Sequence, residues 1–95
     1  MNKYEAVVII KPDLSEEERK VLLEQINEAM TKNNGKILQE NIWSERRKFF
    51  FPIKKFLEGV YYLVIFNAAG PAVKELKHTY GLNESILRVL ITKIE

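Results

Sequence analysis

The chain contains no cysteine. That excludes disulfides, thiolate metal sites and cysteine nucleophiles, and it fits a reducing compartment. Histidine is nearly as scarce. His78, between Lys77 and Thr79, has no second histidine or carboxylate at metal-ligand spacing and reads as a solvated surface residue. Ser15, Ser44 and Ser85 stand in no nucleophile elbow. Long apolar runs are also missing: Ala6-Val7-Val8-Ile9-Ile10 is too short to span a membrane, and no cleavage region of a signal peptide accompanies it. A cytoplasmic protein that is not an enzyme, with no cofactor and no metal, is expected.

What is present is the makeup of an ordinary folded domain. The chain has 95 residues, 46% of them hydrophobic and 29% charged, enough for one core and too few for two. Residues 1–95 are therefore expected to form a single domain. A domain of this size buries roughly 60–65% of its unfolded surface, so modest stability is expected.

The formal charge of +2 hides a segregation. Glu16, Glu17, Glu18, Glu24 and Glu28 outnumber Arg19 and Lys20 in one stretch, whereas Arg46, Arg47, Lys48, Lys54 and Lys55 face only Glu45 in another.

Tyr4 to Ile10 reads as a strand rich in β-branched residues, broken by Pro12-Asp13. Ser15 and Glu18 form a capping box ahead of Leu22, Ile26, Ala29 and Met30 at helical spacing. Asn33-Asn34-Gly35 ends that helix, with the glycine expected in the left-handed cap. Lys36 to about Glu45 reads as a second strand and Gly59 to Ala68 as a third, joined by a connection that carries Phe49-Phe50-Phe51 and Pro52. Proline removes a ladder donor, which puts Pro52 at an edge or in a loop. Gly70-Pro71 opens a second helix with Val73, Leu76 and Tyr80 on one face and Gly81 as its cap, and Ile86 to Ile94 forms the last strand.

The order β-α-β-β-α-β, with right-handed crossovers, gives an α+β fold: a ferredoxin-like split β-α-β, a four-stranded antiparallel sheet with two helices on one face. In the third strand Val60, Tyr62, Val64 and Phe66 alternate with Tyr61, Leu63 and Ile65. Both sheet faces are apolar, yet helices cover only one. The uncovered face is either a partner surface or is closed by side chains of the long connection.

Two functional resemblances are weak. Val8-Ile9-Ile10-Lys11-Pro12-Asp13 resembles the opening of nucleoside diphosphate kinases, but their nucleophilic histidine segment is missing. Gly59 to Phe66 loosely resembles the third strand of RNA-recognition modules, with Glu58 where a basic residue belongs. The basic connection is the better nucleic-acid feature. Five cations lie within the ten residues from Arg46 to Lys55, and arginine's planar fork suits bidentate phosphate contact. Arg88 and Lys3 extend the patch if the first and last strands adjoin. The plainer alternative is a solubilising loop paired with Glu40 or Glu45.

Tyr4-Glu5, then Pro12-Asp13-Leu14-Ser15-Glu16-Glu17, then Phe51-Pro52-Ile53-Lys54-Lys55 with Gly59 and Tyr61-Tyr62, then Asn83-Glu84-Ser85-Ile86-Leu87-Arg88 follow in order along the chain. Together they resemble bacterial small-subunit ribosomal protein six. Trp43 stands one residue early for that pattern, which a one-residue bulge near Ser44 would reconcile. The resemblance implies a structural protein that binds small-subunit ribosomal RNA together with ribosomal protein eighteen, as a heterodimer, during assembly. It puts Arg47, Lys54 and Arg88 on motif positions as RNA or partner contacts. Charge alone adds Arg46, Lys48, Lys55 and Lys3 to the RNA surface. Tyr4, Tyr62 and Leu90 are expected on the surface that meets the partner protein. The alternative is a protein-interaction or ligand-regulatory domain with the same fold and no RNA binding.

Overall fold

The structure is a computed structural model. It describes the backbone of residues 1–94 and, within it, every side chain except those of 42–46. Along the chain come β1 (Asn2–Ile10), α1 (Glu16–Lys32), β2 (Lys36–Ile53), β3 (Phe56–Ala68), α2 (Gly70–Gly81) and β4 (Ile86–Lys93). The four strands form one sheet in the order β2-β3-β1-β4, with every neighbouring pair antiparallel. The expected ferredoxin-like arrangement is the observed one.

Local chemistry starts and stops the helices. At the head of α1 the Ser15 Oγ accepts from the Glu18 amide at 3.1 Å, and the Glu18 carboxylate accepts from the Ser15 amide at 3.0 Å. Two orphan donors are thereby satisfied. At its foot the left-handed residue is Asn34, with φ 62°, and not Gly35. After glycine, asparagine is among the residues that enter that region most readily. Gly35 is needed for a different reason, because a Cβ there would stand 2.8 Å from the Met30 carbonyl oxygen. Gly81 likewise does not take the left-handed cap: it is the last helical residue of α2, and Leu82 caps in a right-handed conformation.

Leu22, Ile26 and Met30 of α1 and Leu76 and Tyr80 of α2 pack on Ala6, Val8, Ile10, Val60, Val64 and Phe66 from the central strands. The core thus lies between the helices and one sheet face. The other face presents Val7, Leu63 and Ile65, all half-buried, and Leu90, 44% exposed.

The largest departure from expectation is between β2 and β3. The sequence ends the second strand near Glu45 and treats 46–58 as a connection. In the structure β2 continues to Ile53 and β3 begins at Phe56, so only Lys54 and Lys55 turn the chain. Both lysines are left-handed, φ 48° and 72°, the pattern of a tight hairpin turn usually written in asparagine and glycine. Pro52 is accommodated because β2 is an edge strand, with no outer neighbour requiring its missing donor. Pairing of β2 with β3 slips between Ile42 and Ser44 and again between Ser44 and Arg47, where the sequence calls for a bulge.

Because β1 pairs with β3 only as far as Ile10 opposite Val60, the outer part of this hairpin projects as a two-stranded arm. At its tip the Lys54 ammonium donates to the Ile86 carbonyl at 3.2 Å, tying the arm to the start of β4.

Candidate nucleic-acid interface

The arm and the open sheet face enclose a cleft of about 670 Å³. Alternation along β2 sends Phe49 inward, and Gly59 lets it close. A Cβ on Gly59 would meet the Phe49 Cζ at 2.8 Å and the Ile9 Cγ2 at 2.9 Å. Ile9 is consequently only 4% exposed although it lies on the face without helices. The sheet is therefore sealed by its own chain at this corner and open elsewhere.

The floor of the cleft is aromatic and its flanks are cationic. Phe49 and Tyr61 stand 6.3 Å apart, ring centre to ring centre, and tilted by 53°. The Arg47 guanidinium carbon lies 5.4 Å from the centre of the Tyr61 ring, a cation–π arrangement. Lys48 follows Arg47 on β2, and Arg88 reaches the same cleft from β4, where it pairs across from Ile9. Three cations from two strands converge, and the described residues lining the cleft include no carboxylate. Leu90 lines it as well.

The remaining sites named from sequence fall elsewhere. Lys54 and Lys55 stand at the arm's tip, away from the cleft lining, with Lys54 engaged at Ile86. Lys3 does not extend the patch. β1 and β4 adjoin as required, but Lys3 lies at the opposite end of β1 from Ile9, roughly 20 Å away for six residues of extended chain. Arg46 lies outside the described residues.

Tyr4 and Tyr62 are corrections to the partner surface. They are 7% and 3% exposed and face the helices. Tyr4 stacks on Phe66 with ring centres 5.7 Å apart. The Tyr62 hydroxyl donates to the Glu40 carboxylate at 2.8 Å, and the Asn27 side-chain amide donates to the same oxygen at 2.7 Å. Burial, followed by this contact with Glu40, pushes the Tyr62 phenol well above its ordinary range. Glu40, offered from sequence as a partner for the basic residues, is used here instead. His78 is exposed in the last turn of α2.

Among the described residues no cluster of three or more histidines, cysteines and carboxylates could hold a metal ion. No described helix is long and apolar enough to cross a membrane. The fold and site together define a small α+β protein with a basic, aromatic-floored cleft beside an open sheet. Comparison with known proteins is specific. The sequence profile of the family described as ribosomal protein S6 matches residues 3–93. The small ribosomal subunit protein bS6 of Thermoanaerobacter pseudethanolicus is 38% identical over 100% of this chain and 99% of its own length. That of Caldanaerobacter subterraneus is 36% identical over the same shares. The crystal structure of 30S ribosomal protein S6 from Thermotoga maritima superposes with a TM-score of 0.89 at 33% identity, covering 98% of this chain and 87% of that one. The chain belongs to the ribosomal protein S6 family, structural proteins of the small ribosomal subunit, and it is not an enzyme.

Proposed function

We propose that the chain binds small-subunit ribosomal RNA through Arg47, Lys48 and Arg88, with Lys54 and Lys55 adding contacts at the arm's tip. Its partner in this role is ribosomal protein eighteen, which joins it as a heterodimer during assembly and meets the open sheet face around Leu90. The observation that carries the RNA assignment is the convergence of three cations on one cleft whose described lining has no acid. Such a site attracts phosphate from a distance and gains further from released counterions. The partner assignment draws on the S6 family resemblance and on an apolar sheet face that the helices leave uncovered.

The test is the combined variant Arg47→Gln, Lys48→Gln and Arg88→Gln, titrated with ribosomal RNA in the presence of the partner protein at several salt concentrations. If each side chain meets a phosphate, affinity falls and the logarithmic salt slope flattens by about two to three. An unchanged affinity and slope would remove the site assignment.

A further inference from the structure

The cleft has a feature that phosphate binding does not use. Phe51 lines the cleft and is nevertheless 81% exposed, beside Phe50, which lines it too and is fully exposed. Adjacent bare aromatic rings make an exposed apolar patch, which marks an interaction site where a lone exposed ring would not. Arg88 and Leu90 of β4 line the same cleft. The volume, about 670 Å³, is in the range of small-ligand sites. An occupant of this space needs a planar apolar body and an attached negative charge. A nucleotide whose base has left its stack carries both on one unit, and aromatic rings and guanidinium planes are the usual platforms for such bases.

We infer that the cleft takes one unstacked base of single-stranded RNA, stacked on Phe51 with the Arg88 guanidinium beside it, while Arg47 and Lys48 hold the adjoining phosphates. The inference rests on the cleft being the RNA site proposed above. It adds that the RNA there is unpaired. A continuous duplex keeps its bases stacked inward and offers the cleft only its phosphates.

The test uses the full chain and a short single-stranded RNA carrying one fluorescent adenine analogue whose emission drops on stacking, with the same sequence annealed to its complement as control. The single strand is expected to bind tighter than the duplex and to lose emission on binding. Phe51→Ala is expected to weaken it about tenfold and to abolish the emission change, with the melting temperature unchanged because the ring is exposed. Full affinity and quenching in Phe51→Ala, equal binding of duplex and single strand, or no binding of the single strand would each overturn the base slot. If the slot fails while the three-cation variant still loses ribosomal RNA, the RNA assignment stands alone. If that variant keeps ribosomal RNA binding, the assignment itself has failed.

Discussion

Phe49 rests on Gly59 so closely that the hydrogen on that glycine's α-carbon has no room to become a methyl group. The contact joins two strands of one hairpin and fixes how far the arm folds toward the sheet. Gly59→Ala should therefore lower the unfolding free energy by about 1–3 kcal/mol, the usual range for overpacking. It should also push the Phe49 ring away from Ile9 and Tyr61. Chemical denaturation checks the first outcome, and aromatic ring-current shifts in the NMR spectrum check the second. A variant as stable as the parent would mean the arm moves freely.

The turn at Lys54 and Lys55 holds two side chains in a region that L-residues avoid. Lys55→Gly removes one such penalty, roughly 1 kcal/mol, without disturbing the bond from Lys54 to Ile86. A rise in melting temperature is expected. Lys54→Gly relieves the same conformation but surrenders that bond, so its gain should be smaller, which places the two variants in a definite order.

Tyr62 and Tyr80 both hold their protons more tightly when folded. Burial is the leading cause for each, and Tyr80 donates to the Ile26 carbonyl at 2.7 Å. The folded values are raised, so the unfolded chain ionises first as pH climbs past the ordinary phenol value of about 10.0. Their contribution is complete below that pH and declines above it. Urea titrations at neutral and strongly alkaline pH should show the parent losing stability faster than Tyr62→Phe or Tyr80→Phe. At neutral pH, Tyr62→Phe should itself cost about 1–2 kcal/mol, because a bond to a charged acceptor is lost.

The capping box responds at the other end of the scale. Glu18 is held below its ordinary carboxyl value of 4.5, first by the Ser15 backbone amide and then by the Ser15 side chain. A lowered folded value contributes above the unfolded one and fades as pH falls. The stability gap between the parent and Glu18→Gln should shrink on acidification below about pH 4.5. A gap that widens in acid would contradict the cap.

The elements that could be placed from sequence were those with local rules. Ser15, Glu18 and the spacing of Leu22, Ile26 and Met30 specify α1 without reference to anything distant. The arm could not be placed in this way. Its turn is written in lysines and its outer strand contains a proline, so both usual signals point toward a loop. Once 46–53 is taken as a strand paired with β3, Arg47 and Phe49 fall on one side by alternation and come beside Tyr61. The register shift beyond Lys48, which alternation does not foresee, lets Phe50 and Phe51 line the cleft as well. Tyr4 and Tyr62 show a different limit. Alternation separates Tyr62 from Tyr61, but both faces of β3 are apolar, so the pattern does not say which face the helices cover. Lys3 failed for want of direction: adjacency of β1 and β4 was correct, and the end of β1 on which the cations gather was not encoded locally.

The sheet order has a consequence for how the nascent chain matures. β1 is made before either of its neighbours, yet it lies in the interior of the sheet, between β3 and β4. It has nothing to pair with on one side until Val60 has been polymerised, nor on the other until Ile86. Until then only α1 and the β2–β3 hairpin have partners close in sequence, and distant pairings are the slow ones to form. Completion of the sheet thus waits on β4, the eight-residue strand that pairs with β1 across the widest gap in sequence.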